Sequence, residues 1–232
     1  MKIHVLASGS TGNCYWISDG KTSILLECGI KLLTIQKKLK FGVSNLDGVL
    51  VSHAHRDHCL CIKDLMRYGI HCYTGQDTAN ELAVSGYRFH AVTHGKQFEV
   101  GTFKVVPYDL PHINTDETPC SNLGYLVYST VTQEYLLFAT DCMYIPERFP
   151  ACHYYLIEMN YTESLDDEFT PAVEKRRYRS HMSLQTALGF LGYQDLSKCK
   201  KIYAIHTSRN RCDTDEIKQK IKDKFNKDVI IA

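Results

Sequence analysis

Long apolar runs are missing from this chain: no stretch of about 18 apolar residues occurs, so a membrane-spanning helix is not expected. An excess of either charge is missing too. Twenty-seven Lys and Arg stand against 26 Asp and Glu, a formal net charge of +1. That argues against a strongly electrostatic nucleic-acid binder and leaves room only for a local basic patch. There is no low-complexity tract, no evident linker and no Gly-x-Gly-x-x-Gly, so nucleotide-cofactor binding is not implied. The opening Met1-Lys2-Ile3-His4-Val5-Leu6 reads as a strand and lacks a signal-peptide pattern. Ten cysteines are present, but without the regular spacing of a disulfide framework. Several, such as Cys14, Cys28, Cys72 and Cys199, sit in or beside apolar segments, where thiols behave as small hydrophobes. A reducing cytoplasm is the expected location.

The chain has 232 residues, 44% apolar and 23% charged, ordinary for a soluble globular protein. Strands are expected at Lys2–Leu6, Cys14–Ile17, Ser23–Glu27, Gly48–Ser52, His71–Tyr73, Phe103–Tyr108, Leu123–Ser129, Tyr135–Ala139, Tyr154–Glu158, Lys201–Ile205 and Val229–Ile231. Helices are expected at Leu32–Leu39, Leu60–Arg67, Asp77–Ala83, Ser183–Leu191 and Asp213–Asn226. Ser18-Asp19-Gly20-Lys21 fits a hairpin turn, and Asp213 an N-cap. Strands followed by helices, roughly twice over, favour two sheets packed face to face with helices outside: a four-layer α/β/β/α sandwich.

His53-Ala54-His55-Arg56-Asp57-His58 follows an apolar run and concentrates three imidazoles and a carboxylate at a strand end. Imidazole nitrogen and carboxylate oxygen suit Zn²⁺, and residues two apart on extended backbone share a side. Asp57 and His58 fall where the chain turns into a helix and are placed for a second ion. Cys59 and Cys61 abut the motif but lack Cys-x-x-Cys spacing, and they are not read as ligands. Further donors should end other strands. His112, Asp141 and His206 each close an apolar run, and His181 precedes a helical pattern. Any one of them alone could be an ordinary polar residue; the ordered set is what counts. His4, His71, His90, His94 and His153 lack this context and read as structural or solvent-facing.

Together these residues resemble the metallo-β-lactamase fold superfamily over nearly the whole chain, which would make residues 1–232 a single hydrolase domain. The closest likeness is to its ribonuclease Z-like phosphodiesterase branch. Arg179-Ser180-His181-Met182-Ser183 is similar to that branch's Gly-His-Ser-Thr element, and Ile205-His206-Thr207-Ser208 to its His-Phe-Ser segment. Leu6-Ala7-Ser8-Gly9-Ser10-Thr11-Gly12-Asn13 looks like a loop of small bacterial and phage members, the YycJ/WalJ-like proteins and the anti-Pycsar cyclic-nucleotide phosphodiesterases. The resemblance implies two Zn²⁺ per chain, with Mn²⁺ as a substitute. His53, His55 and His112 would hold one ion, Asp57, His58 and His206 the other, with Asp141 between them. His181 would protonate the leaving alkoxide, and Glu158 either orients it or is an ordinary loop carboxylate. Ser8, Ser10, Asn13, Arg179 and Ser208 are the candidate substrate contacts. For the 8–13 loop a plain tight turn is the alternative, and for the basic run 174–179, including Tyr178 as a stacking face, a solvated surface.

Two departures from the family pattern stand out. Glu27-Cys28-Gly29 replaces the usual Asp-Ala-Gly, so a longer carboxylate would have to orient a ligand imidazole. The glycine-rich basic arm with which ribonuclease Z holds tRNA is missing. Near-neutral charge and the missing arm favour a small nucleotide, cyclic nucleotides first. The resemblance alone implies a cytoplasmic bacterial or phage-encoded enzyme acting in counter-defence. The alternative is a nuclease of single-stranded DNA or RNA. Thioester or lactone hydrolysis uses the same ligands but has no need of His181. A homodimer is implied by the resemblance.

Overall fold

The computed structural model describes residues 1–114, 116–163 and 179–232. The basic run at 174–178 and the acidic Asp166-Asp167-Glu168 lie outside the described residues. One mixed sheet contains, in spatial order, β1 (Lys2–Ala7), β2 (Cys14–Ser18), β3 (Ser23–Leu26), β4 (Gly48–Leu50), β5 (Cys72–Thr74) and β6 (Phe89–Ala91). Its first three strands are antiparallel neighbours, and β3 to β6 run parallel. The second sheet holds β7 (Phe98–Val100), β8 (Phe103–Asp109), β11 (Leu123–Ser129), β12 (Tyr135–Ala139), β13 (Tyr154–Glu158), β14 (Lys201–Ile205) and β15 (Val229–Ile231). Its order is β15-β14-β13-β12-β11-β8-β7, with β12 to β15 parallel. A short ribbon, β9 (His112–Ile113) with β10 (Pro119–Cys120), stands apart.

Four layers require three apolar interfaces, and three are present. Between the sheets lie Ile24, Leu26 and Leu50 from one, and Phe138, Leu156 and Ile205 from the other. Alternate residues of the same strands, Leu25 and Val49, turn outward onto Ile35 of α1 (Leu32–Lys38) and Leu65 of α3 (Ile62–Arg67). On the far side Leu137, Ile157 and Ala204 meet α5 (Leu184–Tyr193) and α6 (Thr214–Phe225). Central strands are therefore apolar on both faces, which is why they read as continuous runs. The fold is the α/β/β/α sandwich expected from the sequence.

The eleven expected strands are all present. The expected helix at 60–67 begins earlier, as the single turn α2 (Arg56–Cys59), and resumes as α3 after a break at Leu60 and Cys61. The helix at 77–83 is α4 (Gln76–Glu81). Asp213 caps α6, accepting from the Asp215 and Glu216 N–H groups, and Ser183 caps α5 through Thr186 N–H. All ten cysteines are free thiols, nine of them buried. No helix among the described residues is long and apolar enough to cross a membrane.

Candidate metal centre

β12, β13 and β14 run parallel, so their C-terminal ends reach one edge of the second sheet, while β4 delivers residues 51–53 from the first. The exit from β4 is pinned from two sides. Tyr125 donates its hydroxyl to the Val51 carbonyl at 2.6 Å, and Glu27 Oε1 accepts the Ser52 N–H at 3.1 Å. His53 follows at once. α2 then forms as His55 O accepts from His58 N (2.9 Å) and Cys59 N (3.2 Å), turning Asp57 and His58 towards the second sheet.

Asp141 lies two residues past the end of β12 and His206 directly follows β14, with φ of 48° and 50°. Left-handed backbone at non-glycine residues costs about 1–3 kcal/mol each and persists only where neighbours hold it. Here Asn122 donates to the Asp141 carbonyl (2.7 Å), Ser8 Oγ accepts the His206 N–H (2.8 Å), and Asn160 donates to the His206 carbonyl (2.9 Å). The strand-end polar residues do emerge at the sheet edge as expected. They are not solvent-facing, however: Asp141, His206, His112 and Glu158 are all buried, because loops of both sheets close over them.

Donor atoms of His53, His55, His112 and Asp141 lie within 4.8 Å of one another, and so do those of Asp57, His58, Asp141 and His206. Asp141 belongs to both sets. A third set, Asp141, Glu158, His181 and His206, overlaps the second. Hydrogen bonds on the outward ring atoms orient several of these imidazoles. His53 Nδ1 bonds Ser52 Oγ (2.8 Å), His112 Nδ1 the Ser180 carbonyl (3.0 Å) and His206 Nδ1 Glu158 Oε1 (3.1 Å). His55 Nε2 bonds Asn114 Oδ1 (3.1 Å), and Glu27 Oε2 lies 3.6 Å from His58 Nδ1. Glu27, with its own backbone at φ 64°, thus places a carboxylate oxygen beside His58 Nδ1, and neither atom has a hydrogen-bond partner.

The donor set fits cations. His53 Nε2 is buried without a hydrogen-bond partner, 3.9 Å from Asp141 Oδ2. Burial and the neighbouring His58 charge push His53 well below the usual imidazole range, and burial takes His112 down to about 4, so both are neutral donors. Burial also opposes charge on His206 and His58. It is outweighed at His206 by Asp141, Asp57 and Glu158, which raise the ring to about 10, and at His58 by Asp141, Asp57 and Glu27. Asp57, Asp141 and Glu158 are held below the usual carboxylate range against the same burial penalty. In the absence of metal, protons thus sit where the carboxylates' field favours positive charge, and loading must release them.

His181 lies against this centre, its ring stacked on His206 with centroids 5.3 Å apart and its Nδ1 2.7 Å from Glu158 Oε1. The other Glu158 oxygen accepts from Cys142 N–H (3.0 Å) and Met182 N–H (3.2 Å), so one carboxylate aligns two imidazoles and two chain segments. Of the residues expected at the substrate, Ser8 touches His206 as above. Asn13 is buried, its carboxamide bonded to Gly9, to Tyr15 and to the Asp57 carbonyl. Ser208 is half-buried with its N–H on Asn160 O, Ser10 is exposed, and Arg179 is exposed in a 3.6 Å pair with Glu117. Cys59 and Cys61 join none of the donor sets, and neither do the five other histidines. Asn114, Asn122 and Asn160 were not anticipated. Asn160, two residues after Glu158, had a sequence signal; the other two had none.

A family model described as the beta-lactamase superfamily domain matches residues 22–206. The chain belongs to this family. Its donor clusters and fold make it a metal-dependent hydrolase of the β-lactamase superfamily. Among curated relatives, exodeoxyribonuclease WalJ of Streptococcus pneumoniae is 25% identical over 227 residues, covering 90% of this chain and 82% of WalJ. Two solved structures share the superfamily fold over almost the full length. The metallo-beta-lactamase fold protein YhfI of Bacillus subtilis has a TM-score of 0.73 at 16% identity, covering 99% of this chain and 95% of YhfI. Unliganded yeast PDE1 has a TM-score of 0.73 at 10% identity, with 99% and 96% covered.

Proposed function

We propose that the chain is a two-zinc phosphodiesterase acting on single-stranded nucleic acid. His53, His55 and His112 would hold one ion, Asp57, His58 and His206 the other, and Asp141 would serve both; Mn²⁺ is the substitute such a nitrogen–oxygen set accepts. Bound there, two such ions would acidify a water and offset charge building on the phosphoryl oxygens.

The observation that carries the phosphodiesterase reading is the Glu158–His181 pair beside the shared carboxylate. An alkoxide is a poor leaving group and needs a proton as the P–O ester bond breaks. Glu158 takes His181 Nδ1 at 2.7 Å, which leaves Nε2 to carry that proton. One P–O bond forms from water and one breaks, His181 protonates the departing oxygen, and the water proton passes to solvent. Arg179 would take a non-bridging phosphate oxygen, since its exposed pair with Glu117 is weak enough to exchange. A hydrolase of thioesters has no use for such a donor.

The strand as substrate is supported by similarity to WalJ across most of both chains. A cyclic mononucleotide is the alternative, favoured by the formal net charge of +1. Zinc-loaded protein offered single-stranded DNA, single-stranded RNA, 3′,5′-cyclic mononucleotides and a thioester separates these readings. Shortening of the oligonucleotides is expected. Turnover of cyclic nucleotides alone would overturn the strand reading, and turnover of the thioester alone would overturn the phosphodiesterase reading. His181→Ala should lower kcat by about 10²–10⁴-fold at full zinc content.

A further inference from the structure

We infer that a cation-lined groove leading away from the metal motif is a binding track for single-stranded nucleic acid, holding nucleotides beyond the one being cleaved. The inference rests on the phosphodiesterase reading of the metal centre.

Two surface cavities, of about 390 and 520 Å³, adjoin along α3 and share the side chains of Lys63 and Arg67. The nearer is walled by Ala54 and Arg56, the residues that interleave with His53, His55 and Asp57. The farther is closed by Tyr87 and Arg88. The groove therefore begins at the metal-binding loop and carries four cations along its length. Local structure explains their alignment: α3 buries Ile62 and Leu65, which turns Lys63 and Arg67, four residues apart, to the opposite face.

These charges are largely unspent. Among the described residues the Arg56 and Lys63 side chains have no ion pair or hydrogen bond. Arg88 gives one N–H to the Gly69 carbonyl (2.9 Å), and only Arg67 is paired, with Asp64 at 2.8 Å, both exposed. In a chain whose formal net charge is +1, four cations against one acid along one groove is a local concentration and not a reflection of composition. Tyr87 is 85% exposed, its ring steeply inclined to that of His71 with centroids 5.8 Å apart, which places an aromatic surface at the far end. Bases stack on such faces without regard to sequence, while a basic groove follows the phosphates.

A second cleft, of about 570 Å³, adjoins the centre at Asn114 and Asn122 but is lined by Asp77, Glu81 and Asp109. A polyanion is repelled there and steered to the α3 side. A cyclic mononucleotide would fill the metal centre and touch neither Lys63 nor Tyr87. An extended strand uses both.

The test uses zinc-loaded full chain and its Lys63→Ala/Arg88→Ala and Tyr87→Ala variants. Anisotropy would follow labelled oligo-dT and oligo-U of 2 and 12 nucleotides with non-hydrolysable linkages, across salt. Bis-p-nitrophenyl phosphate turnover would report an intact centre that does not need the groove. Wild type should bind the 12-mers more tightly than the 2-mers. The double variant should weaken 12-mer binding and flatten its log–log salt slope by roughly 1.4, about 0.7 for each lost phosphate contact. Tyr87→Ala should weaken it about tenfold. Both variants should keep wild-type turnover of the small diester and wild-type affinity for 2-mers. Better binding of oligo-U than oligo-dT, or the reverse, would name the strand type within the proposal. Equal 12-mer affinity and salt slope in wild type and double variant would overturn the groove, as would failure of the wild type to bind 12-mers. A chain that binds 12-mers through these residues but hydrolyses no diester would overturn the phosphodiesterase reading, and with it the groove's role beside a cleavage site.

Discussion

Replacing Gly29 by alanine should disable half of the metal centre. Gly29 follows β3, and its Cα is packed against the backbone of α2: an added Cβ would lie 1.6 Å from the Asp57 carbonyl oxygen, 2.1 Å from its carbon and 2.7 Å from His58 N. No flexible side chain is there to yield. Backbone hydrogen bonds lace the two segments together, Cys28 N to His58 O at 2.7 Å and Cys61 N to Cys28 O at 3.1 Å, and Asn13 N holds Asp57 O from a third segment at 2.7 Å. The closest contact must open from 1.6 Å to at least 3.0 Å, and Asp57 and His58 must move with it. Overpacking of this kind costs about 1–3 kcal/mol or more, which for a domain of this size lowers Tm by roughly 2–12 °C. A displacement of about 1 Å at reacting groups costs on the order of 10²-fold in rate. His53 and His112 lie outside α2, and His55 is at its N-cap, away from the clash at Asp57 and His58, so their ion should remain. The expected result is one zinc per chain in place of two by elemental analysis after dialysis, with diester turnover down about 100-fold. Two tightly held zinc ions and wild-type turnover in Gly29→Ala would refute the reasoning.

Four other outcomes follow from the same structure. Glu158→Gln keeps the shape but removes the charge that aligns His181 and His206; zinc affinity or kcat should fall about 10–100-fold, and an unchanged pH–rate profile would contradict it. Zinc loading at pH 7 should release roughly two protons, those of His58 and His206, read by calorimetry in buffers of different ionisation enthalpy. Because His206 is raised to about 10 in the metal-free fold, its stabilisation is complete below its unfolded pKa of about 6.5 and is lost as pH climbs through 10. Melts of EDTA-treated protein should therefore show Tm falling across that window, less steeply in His206→Asn. Gly189 lies in α5 on the solvent side, and an added Cβ meets nothing within 4 Å; Gly189→Ala should stabilise by about 0.5–1 kcal/mol in denaturant titration.

The layering and the donor residues were legible because both leave a mark on the chain itself. Strands such as β12 and β14, apolar on both faces, end abruptly at Asp141 and His206. What escaped is made by tertiary approach. β6, β7, β9 and β10 are two or three residues long and partly exposed, too short to show alternation. α2 is one turn of polar residues stabilised by the His55 carbonyl, with no apolar face to announce it. Asn114 and Asn122 reach His55 and Asp141 from loops far along the chain. Asn13 is a further case. The sequence offered its loop either as a substrate contact or as a plain tight turn; the carboxamide's tie to the Asp57 backbone comes only from the fold. Tyr178 and the charges before Arg179 fall outside the described residues.

Anomalous diffraction from a zinc-loaded crystal tests the two-ion centre most directly. Two zinc peaks are predicted on either side of the Asp141 carboxylate, one among His53, His55 and His112, the other among Asp57, His58 and His206. A single peak, or a second one held by Glu158 and His181 in place of Asp57 and His58, would contradict the account.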